Sequence, residues 1–203
     1  MVRRTLAAVL LALAAPVAAD GLDDLEIIER TAARMDEADV SPAKARRIGE
    51  GMAERLLGAT PPVADERVQR YVNRVGLWVA AGSSRPGLEW TFAVVDTPGV
   101  NAFAAPGGFV FITRGLFLLL EDEAELAVVL AHEIAHVTAG HHVEALASRV
   151  RTGVLNDLLR AQDIDGVDDA TLDRLADAGA ELYANGLSHA DEYEADRLGA
   201  VLA

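Results

Sequence analysis

From Ala124 to Val137 this chain is apolar almost all the way round. Leu126, Ala127, Val128, Val129, Leu130, Ala131, Ile134, Ala135 and Val137 fill the run. Such a stretch folds as a helix buried on every side. Yet it carries His132, Glu133 and His136. Buried imidazoles and carboxylates are costly unless they are paired or bound to a metal. The rest of the fold must therefore wrap this helix and also supply partners for its polar groups. His132 and His136 are one helical turn apart and share a face. The pattern is H-E-x-x-H: two imidazoles able to hold one Zn²⁺, with Glu133 offset towards a metal-bound water. The competing reading is a pair of core histidines without a metal.

Composition narrows the options. The 203 residues suit one main domain with appendages, and 51% hydrophobic residues can build its core. A formal net charge of −14 argues against nucleic acid as a partner. The absence of cysteine rules out disulfides, thiolate metal sites and a Cys nucleophile. All five histidines lie from His132 onward, so nothing earlier can supply an imidazole. Residues 1–19 read as a signal peptide: Arg3 and Arg4, an apolar run from Leu6 to Ala15, then small residues at Val17-Ala18-Ala19. The expected mature start is Asp20; an uncleaved anchor is the competing reading. No later segment has the length and apolarity of a membrane span. The expectation is a soluble exported protein of the periplasm.

Residues 20–62 read as an N-terminal helical segment and linker, broken at Ser41-Pro42 and ending in Thr60-Pro61-Pro62. Residues 63–203 read as the main domain. An amphipathic helix over 65–82 precedes a strand from Leu88 to Val95, a turn at Asp96-Thr97-Pro98-Gly99, and a short extended piece from Asn101 to Ala105. After Pro106-Gly107-Gly108 comes a strand from Phe109 to Thr113. The fold class is α+β, mostly helical, with a small antiparallel sheet packed on the H-E-x-x-H helix. Asp122 and Glu125 form a capping-box pattern at the start of that helix, and Gly140 suits its end. Helices over 143–160 and 169–185 follow. Between them Asp163, Asp165, Gly166, Asp168 and Asp169 look like a calcium loop, but the Gly is misplaced and no bidentate Glu follows. A polar turn is the better reading.

A catalytic zinc needs a third protein ligand. His142 sits where the metzincin pattern places one. However, Ala139 replaces the Gly that lets the chain turn back, and every Met (Met1, Met35, Met52) lies upstream. His141 and His142 instead read as an exposed pair past the helix end, favourable near its negative pole. The better candidate is Glu192. Ser188 and Asp191 can cap a helix on which Glu192 and Asp196 share a face. One carboxylate can bind zinc while the other accepts the free N–H of a ligand imidazole. Glu194 points elsewhere and is second choice as ligand. The competing reading is a solvated acidic helix face.

Three blocks make the chain resemble a known family: Val100 to Gly108, Glu125 to His136, and Glu192 to Gly199. Their order and separation are similar to those of the zinc metallopeptidases that include the CAAX prenyl endopeptidase and HtpX, in particular the soluble periplasmic, BepA-like branch. The resemblance covers about residues 65–199. It implies a gluzincin-type domain holding one Zn²⁺ per chain through His132, His136 and Glu192. Glu133 would be the general base, and Asp196 would stand behind a ligand imidazole. It implies a zinc endopeptidase acting on polypeptides of exported or envelope proteins, in quality control. A zinc-binding scaffold or chaperone-like assembly factor, its peptidase activity latent or vestigial, is the alternative; intact Glu133 argues against it. Two departures stand out. Ser188-His189 replaces the family's frequent Ser-Arg, which makes His189 a candidate transition-state donor or an ordinary surface residue. The chain also stops at Ala203 where relatives continue, which reads as a minimal branch or a fragment. Substrate is expected to pair along Asn101, Ala102, Phe103 and Ala104, since an added strand gives sequence-tolerant main-chain hydrogen bonds. A strand kept short against aggregation is the competing reading.

Overall fold

The computed structural model describes residues 41–151 and 187–203. The expected signal peptide, the helical stretch before Ser41, the acidic turn near Asp165 and the helix over 169–185 lie outside them. Helix α1 spans Pro42–Ala59. Ser41 caps it by accepting the Lys44 N–H at 3.3 Å, and Pro42 takes the first position, where no N–H is needed. Helix α2, Glu66–Ala80, is capped by Asp65, which accepts the Arg67 N–H at 2.9 Å.

Three strands follow: β1 Thr91–Val95, β2 Ala102–Ala105 and β3 Phe109–Thr113. The expected sheet is there, but it is mixed and not wholly antiparallel. β3 lies in the middle, antiparallel to β2 and parallel to β1. Reading the strands as successive hairpins misses this, because β3 turns back from β2 and inserts between β2 and β1. Every residue of β3 is buried, as a central strand covered on both faces requires. Phe92, Val94, Ala104, Val110 and Ile112 pack with Val72, Val75, Leu126, Leu130 and Ile134. On the other face Val95, Ala105, Phe109 and Phe111 pack with Met52, Ala53 and Leu56 of α1.

The outer edge of β1 is sealed by side chains of α2. Gln69 donates to Val94 O and accepts from Val94 N, at 2.9 and 3.0 Å. One turn later Asn73 does the same for Phe92, accepting its N–H at 3.2 Å and donating to its carbonyl. Two amides spaced by four residues thus replace a neighbouring strand. No strand among the described residues pairs with the outer side of β2.

A four-residue helix α3, Arg114–Phe117, leads to helix α4, Glu123–Ala139, which carries the H-E-x-x-H pentad. Asp122 caps α4 by accepting the Glu125 N–H at 2.9 Å. The capping box is not closed as expected: the Glu125 carboxylate accepts the Glu121 N–H at 2.7 Å. Gly140 ends α4 with φ 75°, the left-handed conformation that favours glycine. Helix α5, His141–Arg151, starts at once. Helix α6, His189–Leu202, has the full Ser188–Asp191 capping box. No described helix is long and apolar enough to cross a membrane.

The α2 staple can be tested. Asn73→Leu keeps the volume but leaves both polar groups of Phe92 short of a partner, at about 1–3 kcal/mol for an unmade buried bond. Urea unfolding should show a loss of that size, and the melting temperature should drop by roughly 2–4 °C per kcal/mol. An unchanged midpoint would mean that solvent replaces the amide.

Candidate metal centre

α4 and α6 pack against each other more extensively than any other pair of described elements. Their contact is lined by small residues: Ala135 and Ala139 from α4, Ala195 from α6, with Leu198 beside them. Gly199 sets the distance. A Cβ there would lie 3.0 Å from the backbone N of His132 and 3.1 Å from its Cα. The two helix backbones meet at the residue that begins the pentad. That approach lets the short acids of α6 reach the imidazoles of α4.

The structure places His132, His136 and Glu192 together, with one ligand atom of each within 4.8 Å of the others. The two Nε2 atoms face each other at 3.0 Å. Glu192 Oε2 lies 3.5 Å from His132 Nε2 and 3.7 Å from His136 Nε2. Ligand bonds of about 2.0–2.1 Å in a tetrahedron give edges of roughly 3.3 Å. The three measured edges bracket that value, so the donor set fits a zinc-sized ion with one corner open.

The electrostatics agree. Hydrogen bonds from His132 and His136 hold the Glu192 carboxyl well below its usual range. Burial pulls the His132 pKa down, but Glu192, Glu133 and Asp196 together raise it above its ordinary value. Both shifts describe a centre that favours an added positive charge. Glu133 is buried, and burial raises its pKa against the opposing pull of the histidines. Asp196 Oδ1 lies 3.0 Å from His132 Nδ1, at hydrogen-bond distance but too bent for a completed bond. Burial raises the Asp196 pKa, with His132 opposing.

The neighbours of this group correct the sequence reading. His141 and His142 are not an exposed pair. The left-handed Gly140 turns the chain so that both begin α5 and fold inward. His141 is only 4% exposed, and its Nδ1 lies 2.9 Å from His136 Nδ1. His142 is largely buried beside the His136 ring, 5.7 Å between centroids, and is not in the three-residue group. Burial and the two neighbouring histidines push its pKa down to about 3. His142 also borders an apolar cavity of about 210 Å³ between α1 and β2, lined by Met52, Leu56, Phe103 and Phe111. Glu194 approaches His141, with 3.7 Å from its Oε2 to Nε2. His189 is exposed at the first position of α6. Asn101, Ala102, Phe103 and Ala104 lie on or beside β2, the strand packed most closely on α4. The sequence reading missed the inward turn of His141 and the role of Gly199. Its available signals were the Gly directly before His141 and the small residues Ala195 and Gly199 one turn apart.

A pentad helix with a carboxylate supplied by a later helix defines the gluzincin class of metal centre. The chain belongs to peptidase family M48, which matches residues 65–203. It is 28% identical to the beta-barrel assembly-enhancing protease of Escherichia coli K12, over 98% of this chain and 41% of that protein. The Yersinia pestis protein of the same name is 31% identical over 75% of this chain and 32% of its own length. The mitochondrial metalloendopeptidase OMA1 of Schizosaccharomyces pombe is 43% identical over 38% of this chain and 23% of its own length. The chain therefore spans less than half the length of these relatives.

Gly199→Val would push α6 off α4 at the point of closest approach. Metal affinity, measured by chelator competition, should fall by about tenfold or more, as when ligands lose their support. Unchanged affinity would mean that the helix spacing does not set the ligand geometry.

Proposed function

We propose that this chain is a zinc-dependent endopeptidase whose ligands are His132, His136 and Glu192. The observation that carries the reading is the open donor tetrahedron with Glu133 buried beside it. Zinc, when bound, supplies Lewis-acid polarisation of the scissile carbonyl and lowers the pKa of a water. The residues around it do the rest. Glu133, its proton affinity raised by burial, takes the proton from the attacking water and delivers it to the leaving amine. Asp196, 3.0 Å from His132 Nδ1, would accept the N–H of that nitrogen as the site closes, which leaves Nε2 for the metal. His189, exposed one turn before Glu192, is the candidate donor to the developing oxyanion.

Substrate would lie along β2. Thr113 N donates to Asn101 O at 2.9 Å, which fixes the phase of the β2–β3 ladder. By antiparallel alternation, Ala102 and Ala104 then turn their amides and carbonyls away from β3. Ala104 is buried, so approach would be at the partly exposed Ala102, whose small side chain leaves room for another backbone; a protease needs its substrate extended. The proposed boundaries are a signal peptide over 1–19, an N-terminal segment over 20–62 and the metallopeptidase domain over 63–203. The proposed setting is the periplasm, with exported or envelope polypeptides as substrates. The names of the assembly-enhancing relatives support that setting. A non-catalytic zinc scaffold would not need Glu133, and no observation favours it.

Two measurements test the reading. Glu133→Gln should keep stoichiometric zinc and lower casein hydrolysis by about 100-fold or more; near-normal turnover would place the base elsewhere. Ala102→Pro removes one outward N–H from the partly exposed end of β2. It should leave zinc content intact and lower kcat/KM for long peptides more than for very short ones. Equal losses on all lengths would take the substrate off this strand.

A further inference from the structure

Metal-ligating histidines are usually held by a partner on the second ring nitrogen, which fixes both tautomer and ring orientation. Asp196 stands in that place for His132. For His136 the position is filled by another imidazole. His136 turns Nε2 towards His132 and Glu192, so its proton belongs on Nδ1 when the ring is neutral. That Nδ1 meets His141 Nδ1 at 2.9 Å, with both rings buried. A donor there requires an acceptor opposite, so His141 must carry its own proton on Nε2. Glu194 Oε2 lies 3.7 Å from that atom, beyond a direct hydrogen bond, and its negative charge favours a proton there.

We propose that His141, backed by Glu194, is the positioning residue for His136. It accepts the His136 Nδ1–H and so aims Nε2 at the metal. The inference rests on the metal-site reading above. It gives each of the three acids on the inner side of α6 a distinct place: Glu192 at the ligand position, Asp196 behind His132, Glu194 behind His141. It also explains why Gly140 matters. Only a sharp left-handed end to α4 brings the residue five positions after His136 back against that same ring.

The test reads metal binding, not turnover. Zinc affinity is measured by competition with a chromophoric chelator, and ligand geometry by the visible bands of the cobalt(II)-substituted protein. His141→Phe keeps a ring and removes the acceptor. It should weaken zinc by about 10–100-fold and shift the cobalt bands. His141→Asn puts an amide where Nδ1 was and should recover most of the affinity. Glu194→Gln should cost less than His141→Phe, and adding it to His141→Phe should cost nothing more, since Glu194 acts through the imidazole. A His141→Phe protein with wild-type affinity and spectrum would overturn the proposal. So would equal losses in the Phe and Asn variants, which would mark a packing role only. If His141→Phe does not fold, Glu194→Gln decides: unchanged zinc affinity there overturns the chain of donors. A wild type that binds no zinc would overturn the site reading itself, an outcome separate from these.

Discussion

The interaction on which the rest of the structure depends is the near-contact of α4 and α6 at Gly199. α4 is the most apolar of the longer helices described, and it buries two ionisable side chains, Glu133 and His136, with His132 largely covered. Such groups need partners within the fold. α4 itself can offer almost none, because apart from Glu123 and Glu125 in its first turn and Thr138 near its end its other residues are Ala, Val, Leu and Ile. The partners come from α6, and short Asp and Glu side chains reach only if the two backbones nearly touch. Small residues on both helices remove the side chains that would hold them apart. The packing is thus sacrificed in volume so that electrostatics can be satisfied at close range.

The sheet has a different task. It fills the other side of α4 and fixes that helix relative to β2. The two sheet edges are treated differently. β1 is closed by the Gln69 and Asn73 amides, and the linker at Pro62 and Val63 pairs with its end. β2 pairs only with β3, has no strand on its outer side among the described residues, and lies against the metal helix. A fold guarding only against aggregation would have reason to close both edges.

Much of this was legible in the sequence, for identifiable reasons. Caps and turns are local, so Ser41, Asp122, Gly140 and the Ser188–Asp191 box act within a few residues of themselves. The grouping of His132, His136 and Glu192 followed from helical spacing and from the family resemblance. What the sequence hid was non-local. The insertion of β3 between β1 and β2 depends on which strands α2 and α4 can cover together, and no residue of β1 or β3 encodes that alone. The fate of His141 depended on what Gly140 does next. A left-handed cap can release a chain into solvent or fold it back, and only the packed structure decides.

The histidines at the start of α5 show how far that decision reaches. In the exposed reading, His141 and His142 would be two weakly basic groups near a helix end, worth a few tenths of a kcal/mol against its dipole. Folded inward, both are held towards the neutral form: burial depresses both, and the neighbouring His136 adds to the depression. A neutral imidazole can accept a proton bond on one nitrogen and donate on the other, which a Lys or Arg could not do. Residue type and place therefore agree in a way that neither shows alone. An acceptor is needed against His136 Nδ1, a donor is needed towards Glu194, and the ring must survive burial without charge. Histidine meets all three conditions, and a five-residue separation across Gly140 is what puts it there.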